Sequence, residues 1–207
     1  MNRIWIKYKF FSPAIHIGER LQGGIFKPCC DYLRSTTITY ALRYYLGIKN
    51  VIAIGKKIKG NKKIINRNPL SRTLKTGRTE GSRGPINIEI IENAETFVYV
   101  YSDTYEKMPI KIELKIGGFK SLGLGHSVLE KVKEIDLTSL NRKPIVIDCY
   151  IPIIKEFYDT LDINEVKLPL YSYTFIPDNI LNGKYIRTLL PGSEIVTRSH
   201  FLEKENE

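Results

Sequence analysis

Apolar and polar residues alternate from the start of the chain. Ile4, Ile6, Tyr8 and Phe10 fall on one side of an extended backbone, and Arg3, Trp5, Lys7 and Lys9 fall on the other. This two-residue period predicts a strand with one face in a core. Pro13 is expected to interrupt it, and Ile15, His16 and Ile17 resume it briefly before a loop marked by Gly23, Gly24 and Pro28. The period then becomes helical. Ile38, Ala41, Leu42, Tyr45 and Leu46 share one face, which predicts a helix over residues 35–46 with Ser35 or Thr36 as its cap and Gly47 as its left-handed stop. Residues 48–54 read as a β-branched strand, and residues 86–91 and 96–101 as two strands joined by a turn at 92–95. Residues 110–116, 128–135 and 145–150 also look extended, while Ile154, Phe157, Tyr158 and Leu161 suit a short helix opened by Pro152. Three more short strands, at 168–175, 185–187 and 195–196, precede a charged end. One clear helix among many strands predicts an α+β fold with an antiparallel sheet.

Composition adds a core and a charge. The 207 residues are 43% hydrophobic, enough to fill a real interior, and carry a net charge of +10. Ten basic residues lie between Lys56 and Arg83 against the single acid Glu80, so this window alone holds +9 and the remainder is near neutral. A run of like charges is often just a solvated loop, but this one is internal, flanked by strands and too long for an ordinary connection, so it is expected to be functional or disordered. Polyanions are the favoured partners.

Several chemistries are disfavoured. Cys29, Cys30 and Cys149 have no pairing pattern, which suggests a reducing cytoplasm. His16, His126 and His200 are scattered singly, so no zinc framework, and no cofactor, is expected. No leader pattern and no apolar run of about 18 residues is visible, so no membrane partner is expected.

The densest signal is Ile116-Gly117-Gly118-Phe119-Lys120-Ser121-Leu122-Gly123-Leu124-Gly125-His126. Its glycines free the backbone to approach a phosphate, successive N–H groups can point at it, and Lys120 and Ser121 add a charge and a hydroxyl. It lacks the Gly-Lys-Ser/Thr order of a Walker loop, and no helix or ribose-binding acid follows as in a Rossmann turn. A plain glycine-rich turn between two strands is the simpler reading of this stretch alone.

Together with Ser12-Pro13-Ala14-Ile15-His16-Ile17-Gly18 and Leu33-Arg34-Ser35-Thr36-Thr37-Ile38-Thr39-Tyr40-Ala41-Leu42-Arg43, the stretch resembles the RAMP superfamily of CRISPR-associated proteins, whose glycine loop reads G-G-x-x-S-x-G-x-G. Tyr40 departs from the glycine usual in that helix motif. The resemblance implies a ferredoxin-like (RNA-recognition-motif) palm over residues 1–135, with a basic hairpin or thumb at about 56–85 and the glycine loop at 117–125. Residues 136–207 would form a smaller β-rich extension or second reduced half. About 80 residues follow the loop, which suits the subunit that caps the 5′ handle of the guide RNA, and Pro191-Gly192-Ser193-Glu194-Ile195 is similar to that group's closing strand in type III complexes rather than type I.

The implied partners are the guide RNA (crRNA), a large effector subunit and a backbone RAMP subunit. The implied RNA-binding residues are Gly117, Gly118, Phe119, Lys120, Ser121, Gly123, Gly125 and His126 in the loop, Arg34, Ser35 and Thr36 at the helix start, and Lys62, Lys63, Arg67, Arg72, Lys75, Arg78 and Arg83 in the basic window. No catalytic residue is implied for a handle-capping subunit. Two catalytic alternatives stay open at this point. A backbone subunit that cleaves target RNA would use Asp31, although an acid ahead of a helix also serves its exposed N–H groups. A guide-processing endoribonuclease would need a general base such as His16, which equally suits a hydrogen-bonded structural role.

Overall fold

The computed structural model of the chain describes residues 4–18, 25–67, 86–177 and 183–204. The elements are β1 (Ile4–Ile15), β2 (Phe26–Lys27), α1 (Ser35–Leu46), β3 (Val51–Gly55), β4 (Lys59–Arg67), β5 (Ile86–Ser102), β6 (Lys111–Lys115) and β7 (His126–Asp136). They are followed by β8 (Lys143–Val146), β9 (Ile151–Pro152), α2 (Lys155–Leu161), β10 (Glu165–Leu168), β11 (Tyr171–Pro177), β12 (Gly183–Leu189) and β13 (Glu194–Thr197).

β1 is central in the main sheet, antiparallel to β5 on one side and to β7 on the other, and β6 closes the edge beyond β7. On the far side of β5, β3 pairs with residues 98–102 and β4 with residues 86–95. The order β7–β1–β5–β3, with α1 crossing between β1 and β3, is ferredoxin-like. The second helix of that arrangement is replaced between β5 and β7 by a 3₁₀ turn, Tyr105–Lys107, and β6.

Alternation along the strands feeds two cores. On one face Ile38 and Leu42 of α1 pack with Ile6, Tyr8, Phe10, Val98, Val100 and Leu129. On the other, Trp5, Ile52, Ile54 and Tyr99 join Ile145, Ile147, Phe157, Leu161, Leu189, Ile195 and Leu202. Trp5, on the side predicted to be polar, is therefore fully buried, because residues after β7 cover that face. These residues form two further sheets, ordered β10–β13–β8 and β11–β12–β9, with α2 between β9 and β10.

Three sequence expectations change in detail. β1 runs on through Pro13: the β1–β5 pairing skips Pro13 and Asn93 between the pairs Ser12–Ala94 and Ala14–Glu92, and Asn93 takes a positive φ of 50°, so the missing proline N–H falls where the ladder makes no pair. The expected turn at 92–95 is the middle of the 17-residue β5. There β1 and β4 engage both edges of β5, Ala94 is buried, and Glu92 and Glu95 pair with Lys63 and Lys9. The helix cap also differs. Arg34 is the cap residue without a side-chain cap bond, and the Ser35 hydroxyl instead donates to the Tyr150 carbonyl at 2.5 Å. Gly47 ends α1 at φ 67°, as its position predicts.

Buried polar bonds fasten the C-terminal part to the palm. Tyr32 donates to the Asp148 carboxylate at 2.8 Å, and the buried Lys56 ammonium donates to the carbonyls of Leu202 and Glu203 at 2.7 Å each. Charge-assisted bonds of this kind contribute about 1.5–3 kcal/mol each. Lys56→Met is expected to lower unfolding stability by about 2–4 kcal/mol. Urea denaturation checks this, and an unchanged midpoint would contradict the fastening role.

Candidate nucleic-acid interface

The glycine turn is built against the end of β1. The Gly118 N–H donates to the His16 carbonyl at 2.8 Å, the Gly125 N–H to the Ala14 carbonyl at 2.8 Å, and the Ile116 N–H to the Gly125 carbonyl at 2.9 Å. A Cβ at Gly117 would strike the His16 carbonyl oxygen, and one at Gly125 would strike that of Ile116; both residues hold positive φ, 87° and 82°. Only glycine meets both demands. Within the turn, Lys120–Leu122 forms a 3₁₀ turn closed by the Gly123 N–H on the Lys120 carbonyl.

That bonding corrects one expectation. The amides of Gly118, Gly123 and Gly125 are engaged inside the protein, so they do not form a row of donors aimed at a phosphate. The glycines instead permit close packing. Lys120 and Ser121 are left exposed, as is His126 at the start of β7, whose carbonyl accepts from the Ser12 hydroxyl at 2.8 Å.

A cleft of about 470 Å³ lies between this turn, α1 and β11. It joins two segments more than 80 residues apart in sequence: Arg34 and Thr36 from the helix start, and Gly117, Gly118 and Lys120 from the turn. Thr37, Tyr40, Ala41 and Tyr44 add a second stripe of α1 at spacings of three and four, beside the buried one. Lys115, Tyr45 and Phe175 also line it. Among the described residues, its walls carry three cations, Arg34, Lys115 and Lys120, and no carboxylate. The wall aromatics were not singled out from the sequence, although the 37-40-41-44 spacing was visible there. Ser35 does not line the cleft, because its hydroxyl ties α1 to Tyr150.

The first part of the basic window is a strand. Lys59–Arg67 is β4, because β5 offers it a full antiparallel edge. The base of this arm adjoins the turn, since Phe119 and Leu124 cluster with Ile65, Ile86, Ile88 and Ile90. Lys62 is held by Asp31 at 2.7 Å and Glu89 at 3.7 Å, and Lys63 by Glu92 at 3.1 Å. The Asp31 carboxylate raises the Lys62 pKa. Arg67 is exposed at the end of β4, and Arg72, Lys75, Arg78 and Arg83 lie outside the described residues.

Asp31 and His16 both make contacts within the fold. Asp31 bonds Lys62 through its side chain and the Ile58 N–H through its carbonyl. The buried His16 ring donates from Nδ1 to the Glu89 carbonyl at 2.7 Å, which fixes that tautomer, and meets the Phe119 ring edge-on at 4.9 Å. Among the described residues, no group of three or more His, Cys, Asp or Glu is placed to hold a metal ion, and no helix is long and apolar enough to cross a membrane.

No protein-family model and no curated protein matches the sequence. Solved structures do. A chain in the cryo-EM structure of the Type III-B Cmr-beta bound to cognate target RNA and AMPPnP is similar over 95% of this chain and 86% of its own length, with a TM-score of 0.56 and 13% identity. A chain in the Type III-B Cmr-beta bound to cognate target RNA is similar over 93% and 86%, with a TM-score of 0.53 and 11% identity. The likeness is one of fold. At these identities it extends to architecture alone, the ferredoxin-like sheet with the parts that follow it.

Burial lowers the His16 pKa below its ordinary 6.5, and the Glu89 carbonyl opposes this only in part. The unfolded chain therefore takes up the proton first as pH falls. The contribution of neutral His16 to stability is complete above about pH 6.5 and declines below it, toward the folded value. Denaturation midpoints measured from about pH 7 to 5 are expected to fall more steeply for the natural chain than for His16→Gln. Parallel curves would contradict the buried neutral ring.

Proposed function

We propose that the chain is a non-catalytic subunit of a type III CRISPR effector complex that holds the 5′ handle of the guide RNA and works beside other subunits in the cytoplasm. The observation that carries the reading is the cleft in which Arg34, Lys115 and Lys120 converge beside the Thr37 hydroxyl, with no carboxylate among the described lining residues. Such a set offers charge to phosphates and donors to sugar oxygens without choosing a base sequence. The start of α1 adds N–H groups and a positive dipole end beside Thr36. The RAMP-like fold and its likeness to chains of RNA-bound Cmr-beta complexes support the same class of partner.

A binding role also suits the two acid–base candidates. Asp31 is neutralised by Lys62, and His16 is turned into the fold and kept neutral. The partners follow from the same reading: guide RNA in the cleft, with a large subunit and a backbone RAMP subunit at the protein surfaces.

RNA affinity of the isolated chain is expected to fall steeply with salt, and Lys120→Ala is expected to reduce the slope of log K against log salt by about 0.7 to 1. The handle assignment has its own check. Complexes assembled on a guide lacking the handle are expected to lose this chain while retaining the backbone subunits. Retention at full occupancy would contradict handle binding, and an unchanged salt slope in Lys120→Ala would contradict the cleft.

A further inference from the structure

Hairpin β11–β12 has an outward face unsuited to water. Alternation turns Thr174 and Ile176 inward, where both are buried, and leaves Tyr171, Tyr173 and Phe175 exposed. The register sets Tyr185 opposite Phe175 and Arg187 opposite Tyr173. One face therefore presents four aromatic rings and a guanidinium. Tyr173 is 65% exposed, Arg187 lies 3.6 Å from the centre of the Tyr171 ring, and Phe175 and Tyr185 meet at 5.5 Å. The solvent side of an antiparallel sheet is ordinarily polar, and a contiguous apolar patch there marks an interaction site.

We propose that this face is a stacking platform for the bases of single-stranded RNA as it leaves the cleft beside the glycine turn, an inference that rests on the RNA-binding role of that cleft. Continuity is the first argument: Thr174 and Phe175 themselves line the cleft, so the platform begins at its rim. Charge is the second. β11 and β12 contain Lys184 and Arg187 and no carboxylate, which suits a polyanion. Geometry is the third. Rings on alternate residues of a strand stand roughly 7 Å apart, about twice the 3.4 Å step between nucleotides of one strand in a duplex. The platform thus fits bases splayed from one another rather than a stacked duplex. Leu168 and Leu170, exposed just before β11, extend the patch with aliphatic surface; a protein subunit docked there is the competing outcome.

The test uses the full chain, a fluorescein-labelled single-stranded RNA and the matching duplex, with affinity read by anisotropy at low salt. Removing both rings in Tyr171→Ala with Tyr173→Ala is expected to weaken single-strand binding about 10-fold or more through lost base stacking, with duplex binding and the salt slope unchanged. Tyr173→Phe is expected to bind like the natural chain, and Tyr173→Leu, which keeps bulk without a π face, to bind like Tyr173→Ala. Thermal melting of each variant separates these effects from unfolding, and Tyr173→Leu remains informative if the double variant misfolds. Natural affinity in both the double variant and Tyr173→Leu, together with the reduced salt slope of Lys120→Ala, overturns the platform and leaves the cleft standing. Loss of a neighbouring subunit from Tyr173→Ala complexes at unchanged RNA affinity overturns it in favour of protein docking. No RNA binding by the natural chain at low salt overturns both readings.

Discussion

The backbone-to-backbone contact between the glycine turn and the end of β1 is the constraint on which the rest of the site depends. Residues 14 and 16 offer carbonyls to the amides of Gly125 and Gly118, and the approach is so close that a Cβ at Gly117 or Gly125 would meet carbonyl oxygen. This contact fixes where β6 ends and β7 begins. It seats Phe119 on His16 and on the base of the β4–β5 arm, and turns Lys120 toward α1. Cleft and arm are thereby joined through one small apolar cluster rather than through a flexible link.

The opposite wall depends on the C-terminal part. Ser35 and Tyr32 reach across to Tyr150 and Asp148, and the Arg34 guanidinium lies 5.7 Å from the Tyr150 ring. The start of α1 is thus held by side-chain contacts to residues more than a hundred positions away, in place of a local cap. β11, which closes the cleft, belongs to the same part and pairs through β12 with β9. The layer that buries Trp5, Ile52 and Ile54 therefore also shapes the place where Arg34, Lys115 and Lys120 meet.

Much of the palm was legible because its periodicity is local. Alternation at Ile4 to Phe10 and the helical spacing from Ile38 to Leu46 place β1 and α1 correctly, although Trp5 is buried on the other face of β1 and Tyr45 at the end of the helical stripe is exposed. The errors came where a distant partner decided the outcome. Glu92-Asn93-Ala94-Glu95 has turn-like composition, yet two neighbouring strands and two cross-strand lysines keep it extended. Lys59 to Arg67 looks like solvated loop until β5 supplies an edge for it. At the site, the glycine spacing and the helix-start segment pointed to the two walls, but not to their separation or to the wall formed by Phe175. Nor could spacing reveal that the glycine amides are engaged by the carbonyls of the chain itself, since that depends on how closely the turn lies against β1.

The central claim is that the cleft between α1 and the glycine turn holds RNA backbone. Its most direct test is a cryo-EM map of this chain within its assembled, guide-loaded complex. The account predicts guide phosphates within charge-assisted hydrogen-bond distance, about 2.7–2.9 Å, of Lys120 Nζ and the Arg34 guanidinium. A map in which another protein subunit fills the cleft, with the guide running elsewhere, would contradict it.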